Sequence, residues 1–391
     1  MKKALILCAS HNDIGIVIAL RKLGYYIICT GGIAGQIGER LCDEYIPGDY
    51  SNKELMLQIA RDNKVDAIVN ACNDFAVYSA AYVAERLSLP GYDSYETTLL
   101  LNNKDKFKRF AIENGIRTPQ AHSFSIVKEA ISFVQSVEYP IIIKPTDCSA
   151  GNGIHKAENF VEARDAIDMA FAKSRSKTIV IEPYINGPQY GFCTFLVNQK
   201  VVACCSNNEY SIVNPYRVEI DTYPADDFDK VKDDLVLQIE HIAKVLKLKD
   251  GIFHLQYIYD GKHAQIIEVM RRLLGNRYFV AGNLLTGIDW EYWETRAKCG
   301  LSCELFPHAE QLGFVASKVV MAPKNGVIEC ISGMDCFDKY RYGMYVLKKV
   351  GDTIVDYKSQ PVAILYLIFS TREEMNRVLI ENYRNDFVKI K

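Results

Sequence analysis

Apolar and polar positions follow two rhythms along the first 90 residues. ALILCA (4–9), YYIICT (25–30) and DAIVNA (66–71) are short unbroken apolar runs that read as buried strands. Between them, IGIVIALRKLG (14–24) and segments near 53–62 and 75–87 place apolar residues at helical spacing. Strands alternating with helices predict a parallel, doubly wound, Rossmann-like sheet. A helix over 105–114 closes at Asn114-Gly115, and Pro119 marks a boundary. Residues 120–182 read as α+β: a helix near 127–136, the strand PIIIKP (140–145), a polar loop, a helix over 160–173 and the strand TIVIE (178–182). From residue 190 the pattern changes to hairpins, with GFCTFLV and KVVACCS flanking Asn198-Gln199. A helix over 229–247 precedes FHLQYIY and AQIIEVM, and about 305–391 mixes short strands with a helix over 372–383.

Composition narrows the class. Hydrophobic residues make up 49% and charged residues 24% of the 391, an ordinary soluble globular profile. A formal net charge of −2 gives no global attraction for nucleic acid or an anionic membrane. No apolar run approaches the roughly 18 residues of a membrane span, and MKKALILCASHND has no leader pattern. Twelve cysteines without a CxxC pair predict reduced, mostly buried thiols in a cytoplasmic protein, not a zinc site. The first strand-to-helix turn, Cys8 to Gly15, lacks GxGxxG, which argues against a dinucleotide site.

Four signals carry chemistry. Lys144 ends a run of isoleucines; it is either a charge put to use or a gatekeeper on an edge strand. Cys148 to Gly153 holds two glycines and small residues that let backbone N–H groups converge on an oxyanion, although most such stretches are plain turns. IVIEPYINGPQYG ends a strand at Glu182 and suits either an adenine edge and ribose or a simple strand connection. Last, AQIIEVMRR keeps Glu268 inside an apolar run, which is costly unless a cation partners it. Register decides whether it shares a face with Gln256. A two-residue loop at Asp260-Gly261 puts the two on opposite faces. A three-residue loop ending at Lys262 sets Glu268 opposite His254, so that Gln256, Glu268 and Arg272 share a face. Gln256 and Glu268 then offer the oxygens a hard cation such as Mg²⁺ requires.

In this order the parts resemble the ATP-grasp ligases, closely over about 1–300 and loosely over 301–391. The resemblance implies a Rossmann-like leading domain (1–95), an ATP-grasp domain (96–300) with a lid subdomain (about 118–183), and a small α+β C-terminal region (301–391). It further implies that Lys104, in NKDKFK, and Lys144 are nucleotide-phosphate lysines. Ser149, Ala150, Gly151 and Gly153 belong to the lid loop, Glu182 and Ile185 border the adenine, and Gln189 meets the ribose. Gln256 and Glu268 match metal ligands and Arg272 the residue that steadies an acyl phosphate. Arg217, His254 and Asn276 fall where such enzymes shape their substrate pocket, with a surface salt bridge the plain alternative for Arg217. Two residues depart from the pattern: Met270 stands where many members carry Asn, a ligand of a second Mg²⁺, and Gln189 replaces a carboxylate. The implied reaction joins a small-molecule carboxylate to an amine with ATP and Mg²⁺ (Mn²⁺ as the alternative ion), through an acyl phosphate, with a homodimer left open. Two rivals remain: a purine-pathway or carboxylase-type member, and a degenerate ATP-binding protein without activity.

Overall fold

The computed structural model describes residues 1–391 apart from Ala9, Ala34, Ala71, Ser149 and Ala150. Four parallel strands open the chain, in the order Glu44–Pro47, Tyr26–Gly31, Lys3–Leu7, Ala67–Asn70. Three are the apolar runs of the sequence; Glu44–Pro47 is too short and mixed to stand out. Ala4 and Ile6 pack with the helix Ile14–Lys22, while Leu5 and Leu7 pack with the helices Lys53–Asp62 and Asp74–Leu87. Burial on both faces is why these strands lack polar alternation.

A four-stranded antiparallel sheet follows, in the order His122–Phe124, Ile179–Pro183, Ile141–Pro145, His155–Ala157. Ile141, Ile143, Ile179 and Ile181 pack on the helices Val127–Val134 and Phe160–Lys173. Alternation therefore turns Lys144 and Glu182 to the other face.

The largest element is an eight-stranded antiparallel sheet, in the order Ala264–Met270, Gly251–Tyr259, Gln189–Val197, Lys200–Tyr210, Ile220–Tyr223, Phe314–Met321, Pro361–Phe369, Arg341–Val346. Phe192, Leu196, Phe253 and Leu255 pack on the helix Phe228–Leu246. Cys193, Phe195 and Tyr223 face the other way, into the core shared with the N-terminal sheet. Three of the eight strands come from beyond residue 300, so the sheet runs through the change of sequence pattern there. Among the described residues no helix is long and apolar enough to cross a membrane.

The Gly251–Tyr259 and Ala264–Met270 hairpin departs from both loops weighed above. Tyr259 pairs with Ala264 across the four residues Asp260–His263, because the Asp260 carboxylate accepts the backbone N–H groups of Lys262 and His263 at 2.9 and 2.8 Å and holds a wider turn. An even loop alone would turn Glu268 away from Gln256. A bulge corrects the phase: Gln256 pairs with Glu268 and Tyr257 with Ile266, leaving Ile267 extra. Glu268 thus lies opposite Gln256, and Met270, in place of Glu268, lies opposite His254. The shared face of Gln256 and Glu268 stands, by a different route.

Candidate active site

The helix Lys104–Glu113 carries its first residue to the mouth of a cleft between the three parts of the chain. Lys104 Nζ lies 3.1 Å from Glu268 Oε1 and donates to the Cys148 carbonyl at 2.8 Å. Burial works against the Lys104 charge, yet the Glu268 carboxylate holds its pKa above the ordinary lysine value. Asp74 and Tyr78 from the helix Asp74–Leu87, Thr146 and Asp147 just past the strand Ile141–Pro145, and Met270 line the same cleft.

One turn further, Lys108 is sealed inside. Its Nζ lies 3.5 Å from Glu182 Oε2, donates to Thr118 Oγ1 at 2.6 Å and to the Ile266 carbonyl at 3.3 Å. Lys144 Nζ approaches the other oxygen, Glu182 Oε1, at 3.0 Å. Two lysines share one carboxylate. Burial, with Lys144 close by, pulls Lys108 down to about 8 even though Glu182 opposes it. Burial alone would raise Glu182, but the two ammonium groups hold it below the usual carboxylate value.

Gln256 extends the site sideways. Its Nε2 donates to Glu209 Oε2 at 2.7 Å, and Gln189 Nε2 donates to the same oxygen at 2.6 Å. Burial raises the Glu209 pKa, which these amide donors partly offset. Arg272 Nε donates to Asp74 Oδ1 at 2.5 Å and Nη1 to the Leu273 carbonyl at 3.1 Å, so the guanidinium ties the helix Asp74–Leu87 to the end of the large sheet. His254 is buried beside Met270 and Tyr278; burial and then Arg272 lower its pKa to about 3, leaving a neutral ring. Arg271 serves the fold, donating to Asp93 and to the backbone of Lys249, Gly251 and Ile252.

Of the residues named from sequence, Lys104, Glu268, Gln256, Gln189, Arg272 and His254 gather on or beside one sheet face, and Lys144 with Glu182 form the adjoining buried pair. Ile185 is half-buried in the connection after Glu182. Gly151 and Gly153 both take φ of 75°, and a Cβ at Gly151 would meet the Tyr216 carbonyl at 2.5 Å, so glycine is required there. Ser149 and Ala150 lie outside the described residues. Arg217 lines a separate hollow with Asn214, Glu219 and Lys358, not the cleft of Glu268. Asn276 adopts a left-handed φ of 53° and its carbonyl accepts from Tyr366 Oη at 3.0 Å.

Three contributors escaped the sequence reading. Lys108 had a signal: it follows Lys104 by one turn on the stripe of Phe107 and Ala111. Asp74 had only its place at a helix start. Glu209 had only strand parity with Asn207, and no local feature linked it to partners 20 and 47 residues away.

The donor chemistry fits one hard cation. The Glu268 carboxylate and the Gln256 amide oxygen, directly across from it, are oxygen donors of the kind Mg²⁺ takes together with phosphates. Met270 adds only a thioether, a poor partner for that ion. Among the described residues no group of three or more His, Cys, Asp or Glu could hold a metal.

Comparison with known proteins assigns the fold. Residues 102–215 match the family model of the phosphoribosylglycinamide synthetase ATP-grasp (A) domain. The carbamoyl phosphate synthase large chain of Clostridium acetobutylicum is 24% identical over 181 residues, 46% of this chain and 17% of that one. The structure of an L-amino acid ligase from Bacillus licheniformis superposes with a TM-score of 0.85 at 18% identity, covering 100% of this chain and 99% of that one. The biotin carboxylase domain of a Hydrogenobacter thermophilus 2-oxoglutarate carboxylase, solved with MgADP and bicarbonate, gives 0.78 at 18% identity, covering 99% and 91%. The chain spans from under a fifth to about half of the length of the curated relatives it matches. The shared architecture is the ATP-grasp fold.

Proposed function

We propose that this chain, a member of the ATP-grasp superfamily, is an ATP- and Mg²⁺-dependent ligase that joins a small-molecule carboxylate to an amine. The observation that carries the reading is Glu268, paired with Gln256 across the hairpin and meeting Lys104 in a cleft also lined by Thr146, Asp147 and Cys148. Glu268 and Gln256 would hold the Mg²⁺, which supplies charge neutralisation at the phosphate oxygens. Lys104 would leave Glu268 for a phosphate oxygen as that carboxylate is taken up. Lys144, fixed by Glu182, lends positive charge to the nucleotide phosphates. Glu182 and Ile185 border the adenine, Gln189 meets the ribose, and Gly151 and Gly153 let the lid loop approach the phosphates.

The substrate carboxylate oxygen attacks the γ-phosphorus, the bond to ADP breaks, and Arg272 steadies the acyl phosphate. The amine then attacks the acyl carbon, loses its proton and expels phosphate. Positioning and electrostatic preorganisation carry most of the first step, because three anionic groups must meet. No protein nucleophile is required.

Met270 supports a second reading, an ATP-binding protein that no longer turns over. The match over 102–215 keeps a purine-pathway substrate in view. One experiment separates these: phosphate release from MgATP measured against a panel of carboxylate and amine pairs. A pair that stimulates release, with an amide product, supports the ligase. Nucleotide binding with no release across amino-acid, purine-precursor and bicarbonate substrates overturns it.

A further inference from the structure

We infer that Glu209 is a positioning residue that decides which end of the Gln256 amide faces the metal. The inference rests on the proposed reading of Gln256 and Glu268 as metal ligands. A glutamine side chain presents oxygen or NH₂ in nearly the same shape, and only the oxygen binds a hard cation. An unheld amide therefore offers the wrong end part of the time.

The geometry removes that freedom. Glu209 Oε2 accepts from Gln256 Nε2 at 2.7 Å and from Gln189 Nε2 at 2.6 Å. Both amides donate to this one carboxylate oxygen, so each turns its nitrogen to Glu209 and its oxygen away. Gln256 stands between two neighbours on its face, Glu268 on one side and Gly191 on the other. Glu209 comes in over the glycine side from two strands away. A Cβ at position 191 would stand 3.0 Å from Glu209 Oε1 and 2.4 Å from Asn207 Oδ1, so only glycine leaves this space clear. With its nitrogen drawn toward Gly191, Gln256 presents its oxygen on the Glu268 side. A carboxylate at 256 would have oxygen at both ends and need no such orienting. The amide needs it, and the nearby carboxylate supplies it.

The test titrates Mn²⁺ into protein saturated with a non-hydrolysable ATP analogue and reads the bound ion as loss of the free-ion EPR signal. Glu209→Ala is expected to weaken Mn²⁺ binding by about tenfold or more, the scale at which outer partners of metal ligands act. Gln256→Glu placed in the Glu209→Ala background should bring affinity back to within roughly threefold of the native protein, a coupling that independent sites would not show. Glu209→Gln keeps the volume and serves if the alanine variant does not fold; because its amide can also donate, it should lose part of the affinity. Unchanged Mn²⁺ affinity in both Glu209 variants, or a double variant as weak as Glu209→Ala, overturns the positioning role. Glu268→Gln in the same titration keeps the two readings apart. If Glu268→Gln loses Mn²⁺ and Glu209→Ala does not, the metal site stands and the role of Glu209 falls. If Glu268→Gln binds Mn²⁺ like the native protein, the metal-site reading falls and takes this one with it.

Discussion

Lys104 and Lys108 stand one turn apart on the same helix, yet their partnerships are opposite in kind. Lys104 meets Glu268, whose side chain is 34% exposed at the cleft; Lys108 meets Glu182, whose side chain is 3% exposed. Water reaches the carboxylate side of the first contact, although Lys104 itself is only 10% exposed, so that contact can exchange as the proposed move of Lys104 to a phosphate requires. Nothing replaces the second. Removing Glu182 strands two ammonium groups in the interior, where an unpaired charge is far more costly than the pair is worth. On the proposed reading, one helix carries a working lysine and a scaffolding lysine, distinguished by what their carboxylates can exchange with.

The contrast breaks if stability and activity respond the wrong way round. Glu182→Ala should destabilise the fold by about 3–5 kcal/mol in chemical denaturation, whereas Glu268→Ala should cost clearly less, because its carboxylate is already 34% exposed. Equal losses would erase the distinction. Next in size, Glu268→Gln should lower phosphate release by about 100-fold or more at an unaltered denaturation midpoint, the scale of losing one charge aimed at the transition state.

Titration sharpens the contrast further. Lys108 has a folded pKa of about 8 against an ordinary 10.5. Between those values the unfolded chain binds more protons than the native one, so this group makes stability rise with pH across that window. Lys108→Met should flatten that part of the stability profile, read as melting temperature from pH 7.5 to 10.5. A profile unchanged by the substitution would show Lys108 to be ordinary. The smallest effect belongs to Met270→Leu, which should change phosphate release by less than about twofold, since a thioether contributes little to a hard cation; a dead variant would give Met270 a role that the hairpin geometry does not.

Glu268 was legible because a carboxylate inside Ile-Ile-x-Val-Met contradicts its neighbours, and Lys144 because it ends three isoleucines. The N-terminal strands were legible for the same reason, an unbroken apolar run. Lys108 was not: in Lys-Asp-Lys-Phe-Lys-Arg a buried ammonium looks like any solvated charge until Glu182, remote in sequence, is brought beside it. Glu209 was hidden differently, since its partners are set by strand order rather than by spacing. The hairpin shows the limit most clearly. The shared face of Gln256 and Glu268 came through, but the Asp260 turn and the Ile267 bulge that produce it depend on side chain to backbone hydrogen bonds and a local phase slip, which apolar periodicity does not record.

The eight-stranded sheet has a practical consequence for anyone who would trim this protein. A fragment ending near residue 300 keeps the residues of the cleft and every strand up to Ile220–Tyr223. It also strips that strand of its neighbour Phe314–Met321 and uncovers a row of unpaired backbone groups beside the apolar Ile220 and Tyr223. Raw edges of that kind recruit one another, and the fragment would be expected to precipitate or pair edge to edge before it revealed anything about nucleotide binding. The last ninety residues act as the hem of the sheet, and a truncation series that lost activity there would be reporting on solubility, not on chemistry.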